Sequence, residues 1–133
     1  MTVCPAFDLA SDLARRQSAN ADDADYYRFG TAEWKLEGFG AQKAFGPICT
    51  RVRSFVTDHP KQFSSFKAEL FETCLSALEL LRSDGDVDKN LLLMFSVSDV
   101  EPDAATELRR MKRLNPGSNA ISELTRWLKT WDE

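Results

Sequence analysis

A chain of 133 residues with 43% hydrophobic and 29% charged side chains can bury one core, and its composition excludes disordered, collagenous and coiled-coil classes. The 17 basic and 21 acidic residues leave a formal net charge of −4, which argues against phosphate-backbone binding and permits basic protein partners. The excess is uneven: residues 1–66 carry eight basic and eight acidic side chains, residues 67–133 nine and thirteen.

Thr2-Val3-Cys4-Pro5 reads as a strand stub, and Phe7, Leu9, Leu13 and Ala14 then recur at helical spacing before a polar run from Gln17 to Asp25. The aromatic segment Tyr26-Tyr27-Arg28-Phe29 predicts a second short strand ended by Gly30, with Thr31 capping a helical turn that carries Trp34 and Leu36. Gly38 and Gly40 break the chain. Phe45, Ile48, Cys49, Val52, Phe55 and Val56 predict an amphipathic helix over about 42–58, provided Pro47 sits in its first turn, and His59-Pro60 stops it. A longer helix over 63–83 follows, with Phe63, Phe66, Leu70, Cys74, Leu78 and Leu81 on one face, Phe71 and Leu75 widening it, and Asp84-Gly85 as its end. The uniformly apolar run Leu91 to Phe95, continuing to Asp99, predicts the central strand of a buried sheet. Pro102 then starts a helix to about Arg113, stopped by Leu114-Asn115-Pro116, and Ser118 caps a last helix carrying Ile121, Leu124, Leu128 and Trp131.

Candidate sites are few. Cys4, Cys49 and Cys74 are odd in number and form no C-x-x-C pair, so they predict neither a disulfide framework nor a zinc site, but buried thiols in a reducing compartment. Asp84, Asp86 and Asp88 alternate like the start of a calcium loop, yet Lys89 falls where its glycine belongs and Phe95 where its glutamate belongs. They read instead as a solvated acidic loop. His59, the one histidine, is placed to cap a helix C-terminus. Arg109, Arg110, Lys112 and Arg113 form a basic cluster in the last turns of their helix, where cations complement the dipole, and they read as a solvated face. Trp127 and Trp131, four residues apart, read as a core seam. No cofactor or metal site is predicted. Asp8 and Asp12 arrive early and no basic region precedes them, so the N-terminus does not read as a secretory signal; no apolar run reaches membrane-span length, and a cytoplasmic protein with no membrane partner is expected.

Three segments carry a resemblance: Arg28-Phe29-Gly30-Thr31-Ala32-Glu33-Trp34, Ala77 to Gly85, and Leu93 to Asp99 with Leu114-Asn115-Pro116. In their order and spacing, over about residues 26–116, the chain resembles a bacterial family known as the domain of unknown function numbered 4303. Such members carry a further helix and strand before the segment similar to Thr2-Val3-Cys4-Pro5. The resemblance thus implies a short member, or a sheet completed by another copy or a different protein. It implies no activity, cofactor or catalytic residue.

Together these features predict a single α+β domain over 1–133, in which a small sheet with 91–99 at its centre packs against several helices. The expected function is non-enzymatic protein binding, in its sharpest form an immunity-type or other partner-inhibiting protein. The surface for it is acidic: the run Asp22, Asp23 and Asp25, or the loop Asp84, Asp86 and Asp88. A protein partner or a homo-oligomer is expected, and no nucleic acid. The alternative is a small hydrolase or transferase with a site near Asp99, Glu33 and Trp34.

Overall fold

The computed structural model describes residues 4–38, 42–97 and 103–132. Among these the architecture is helical: α1 (Ala10–Ala19), α2 (Ala24–Phe29), α3 (Gln42–Asp58), α4 (Phe63–Ser83), α5 (Ala104–Leu114) and α6 (Ala120–Leu128). The strand pairing is confined to β1 (Ala6–Phe7) and β2 (Leu36–Glu37), antiparallel with Ala6 opposite Glu37 and Phe7 opposite Leu36. This is an all-α fold, and the α+β expectation is corrected. The chain divides into two compact units, Met1–Glu69 and Leu70–Glu133.

In the first unit the predicted strand at Tyr26–Phe29 is helix α2 instead. Aromatic side chains favour strands only weakly, and burial decides for helix here: Phe29 is 3% exposed, and α2 packs along α1. The Gly30 N–H closes α2 on the Tyr26 carbonyl at 2.7 Å, and an added Cβ at Gly30 would meet that same oxygen at 2.7 Å, so the turn requires glycine. Arg16 ties the unit together: it binds the buried Asp8 carboxylate, donates to the Glu33 carbonyl at 2.6 Å and lies over the Tyr27 ring. Helix α3 occupies the predicted span, with Cys49 and Val52 buried. Pro47 sits one turn deeper than expected, where it leaves the Lys43 carbonyl without its i+4 donor. His59 ends α3 as predicted: its N–H and its ring Nδ1 both meet the Phe55 carbonyl, at 2.9 and 3.2 Å, and its ring stacks on Phe55.

In the second unit α4 ends in a Schellman motif: Asp86 N–H to Leu81 C=O at 3.1 Å and Gly85 N–H to Arg82 C=O at 3.3 Å, with Gly85 at φ +78°. The predicted apolar face of α4 is withdrawn from solvent along its middle, with Leu75 buried and Leu70, Phe71, Cys74 and Leu78 half-buried, whereas Phe63 and Leu81 at its ends are 38% and 39% exposed. Leu75, Leu93 and Leu114 form the core, with Leu78, Val87 and Phe95 packed against it. Asp103 caps α5 by accepting the Thr106 N–H at 2.9 Å, while Pro102 lies outside the described residues. Ser118 Oγ accepts the Ala120 N–H at 3.2 Å, so the predicted serine does cap α6. Trp127 and Trp131 stack edge to face at 5.0 Å, and Trp131 is 37% exposed.

The largest correction concerns the predicted central strand. Residues 91–97 have no regular secondary structure, and Ser98 and Asp99 lie outside the described residues. Leu93 is buried as expected, but Phe95 is only partly so. The physical reason is that side chains satisfy this backbone. Asn115 Oδ1 accepts the Leu93 N–H at 2.9 Å and Nδ2 donates to the Leu93 carbonyl at 2.7 Å.

Candidate functional site

The acidic loop after α4 is built from the helix end outward. Schellman closure fixes its first turn, and Val87 turns inward onto the core between the exposed Asp86 and Asp88. Arg82, in the last turn of α4, then clamps the far side. Its Nε donates to the Leu114 carbonyl at 2.9 Å, and its terminal nitrogens donate to Lys89 O at 3.0 Å, Leu91 O at 2.7 Å and Asn115 Oδ1 at 3.0 Å. One planar guanidinium thus joins the α4 end, the loop and the α5 cap, which an ammonium lacks the donors and fork geometry to do.

The clamp leaves the carboxylates outside. Asp84, Asp86 and Asp88 are all exposed. Asp88 accepts the Asn90 N–H at 2.7 Å and Asp84 a weak bond from Ser83 Oγ at 3.4 Å, while Asp86 has no partner among the described residues. Leu80 and Leu81 precede the loop and Leu91 follows it, at 59%, 39% and 48% exposure.

The other predicted residues are placed differently. Asp22 and Asp23 are exposed in a 3-10 turn, with Asp23 at the α2 N-cap position; Asp25 is in the first turn of α2 and already has an interaction. No side chain of this run caps α2, and acidic residues at a helix start complement its dipole. Glu33 accepts the Tyr26 hydroxyl at 2.9 Å, and this hydrogen bond is the main cause that raises the Tyr26 pKa. Trp34 Nε1 donates to the Arg28 carbonyl at 3.3 Å. Asp99, the third member of the hydrolase alternative, lies outside the described residues.

In the basic cluster of α5, Arg109 and Lys112 are exposed as expected, whereas Arg110 and Arg113 are half-buried in ion pairs. Arg113 binds Glu72 at 2.6 Å and Glu79 at 2.7 Å, and Arg110 binds Glu107 at 2.6 Å while lying over the Phe95 and Phe71 rings. Arg109 donates to Thr106 Oγ1 at 2.8 Å. Glu72, Leu75, Thr106, Arg109, Arg110 and Arg113 line an open groove of about 370 Å³, in which Arg110 and Arg113 are paired with carboxylates. Among the described residues no group of His, Cys, Asp and Glu could hold a metal ion. Cys4, Cys49 and Cys74 are free thiols; Cys4 is exposed, Cys49 is buried, and burial raises the Cys74 pKa.

Sequence reasoning found the acidic loop and missed Arg82 and Asn115, which hold it. A signal was present: an arginine one residue before Ser-Asp-Gly, and an asparagine between a leucine and a proline at a helix end, are polar groups where the chain turns back on its core.

The family model described as Domain of unknown function (DUF4303) matches residues 1–116, which takes in the whole acidic loop, Arg82 and Asn115. The chain belongs to the DUF4303 family. Helix α6 lies beyond the match. The DUF4303 description supplies no activity, ligand or partner. No curated protein and no solved structure matches the chain.

Proposed function

We propose that this chain is a non-enzymatic protein-binding domain acting in the cytoplasm, with the Asp84, Asp86 and Asp88 loop as its electrostatic face toward a basic partner. The supporting observation is preorganisation: the three carboxylates are exposed on a loop that Schellman closure, Val87 and four Arg82 hydrogen bonds already hold in place. An ordered loop loses little conformational freedom on binding, and unneutralised carboxylates steer a cationic surface toward it. The narrower form of the proposal is an immunity-type protein, or another inhibitor, whose carboxylates occupy the cationic site of its partner. Cys4, Cys49 and Cys74 form no disulfide, which favours a reducing compartment. Among the described residues no helix is long and apolar enough to cross a membrane.

The test begins with capture of the partner from the native host, followed by association rates across a salt series. Replacing Asp84, Asp86 and Asp88 by Asn should slow association by roughly tenfold or more at low salt and change dissociation little. The same replacements at Asp22, Asp23 and Asp25 should leave the rate near that of the unaltered chain. Association that ignores salt, and is equal in both triple variants, would remove the acidic loop from the interface.

A further inference from the structure

The backbone at Leu93 is extended, and a single side chain demonstrates it. The N–H and C=O of one residue point to the same side only in an extended chain, and Asn115 takes both, Oδ1 from the Leu93 N–H at 2.9 Å and Nδ2 to the Leu93 carbonyl at 2.7 Å. The Leu91 carbonyl joins that side, since it receives the same Arg82 nitrogen that reaches Asn115 Oδ1. The two side chains therefore occupy one edge of this segment much as a neighbouring strand would. Because the hydrogen-bonding direction alternates along an extended chain, the N–H and C=O of Leu92 and Met94 face the opposite edge. Among the described residues nothing bonds them.

Backbone donors and acceptors on a half-buried apolar segment are normally paired. We propose that Leu92 and Met94 form an open receptor edge, to which an extended, apolar segment of a partner protein with a flanking basic residue adds as a strand. The occupant's chemistry follows from what adjoins the edge. The half-buried Leu92 and Met94 and the exposed Leu91 favour alternate apolar side chains, and the loop Asp84, Asp86 and Asp88 just before Leu91 favours a lysine or arginine at the adjoining end. The inference rests on the binding role proposed above and adds the mode of attachment: carboxylates bring the partner in, and backbone hydrogen bonds hold it.

The probes are short synthetic peptides of alternating Val and Thr ended by Lys, the same peptides ended by Glu, and a Lys-ended Gly/Ser control, tested on the full chain. Hydrogen exchange reads the edge directly. In the free chain the Leu93 amide should exchange slowly and those of Leu92 and Met94 fast, and the Lys-ended Val/Thr peptide should slow the latter two. Its affinity should exceed that of the Glu-ended peptide by about tenfold or more. Met94→Pro removes an N–H that bonds no described residue and keeps Leu93 extended, so it should melt like the unaltered chain yet bind at least about tenfold more weakly. Unchanged exchange at Leu92 and Met94 in the presence of the peptide, or equal binding by Met94→Pro, overturns the edge. So does a chain that dimerises unaided and loses dimerisation in Met94→Pro, because the occupant is then a second copy. If the edge fails while the Asp-to-Asn loop variant still slows the native partner, the electrostatic binding role stands without it.

Discussion

The Asn115 carboxamide is 4% exposed and uses both its ends: Oδ1 accepts from Leu93 and Arg82, while Nδ2 donates to Leu93 and, at 3.1 Å, to the Met111 carbonyl. It is at once the C-cap of α5 and the partner of the segment after the acidic loop. Asn115→Ala would strand the buried N–H and C=O of Leu93, and each such group costs about 1–3 kcal/mol. A loss of about 2–4 kcal/mol is therefore expected in denaturant unfolding. Asn115→Asp should also destabilise, because a carboxylate cannot donate to the Leu93 and Met111 carbonyls. A loss below about 1 kcal/mol in Asn115→Ala would mean that water replaces the amide and that the clamp is not structural.

At the scale of elements, α4 and α5 are cross-linked by Arg113, whose guanidinium bonds Glu72, Glu79 and Ser76. Hydrogen bonds from Arg113 hold the Glu72 and Glu79 carboxyls below the usual range, and bonding to Thr106 does the same for Asp103. A carboxyl whose folded pKa lies below its unfolded one contributes stability above the unfolded value, near about pH 4.3 for Glu, and loses it as pH falls through the folded value. Glu107 has the opposite sign: burial raises its pKa despite Arg110, so protonation of Glu107 offsets part of the loss. The chain should thus become less stable as pH falls below about 5, and Arg113→Gln should be less stable at neutral pH with a flatter acid limb. Thermal melts across pH check this. Parallel acid limbs in the two proteins would mean that the Arg113 network contributes nothing to acid sensitivity.

For the whole molecule the weight of helix is the measurable property. Pairing between strands among the described residues is limited to two residues on each of β1 and β2, while α3 and α4 alone span 17 and 21 residues. The far-ultraviolet circular dichroism of the chain should be that of a helical protein. A substantial sheet contribution in the free chain would contradict this architecture, whereas a small gain of extended signal on adding the Lys-ended peptide belongs to the receptor edge. Helical packing also locates the stable part of each unit: Phe29, Cys49 and Val52 in the first, and Leu75, Leu93, Leu114, Leu124 and Leu128 in the second.

Features that depend on neighbours within a turn or two were legible from the residues alone. Helices α3, α4, α5 and α6 lie close to where periodicity put them. Their stops at His59-Pro60, Asp84-Gly85 and Leu114-Asn115-Pro116 hold because caps and left-handed glycines act locally. The exposed acidic loop was legible for the same reason, since three alternating aspartates with a glycine can hardly be buried. Tertiary structure alone decided the state of Leu91–Val97 and of Tyr26–Phe29. An apolar run specifies burial but not what pairs with its backbone, and here the donors and acceptors come from Arg82 and Asn115, nine and 22 residues away. A strand requires another strand's backbone. This segment meets the side chains of Arg82 and Asn115 instead, so a pattern that promised the centre of a sheet became a loop.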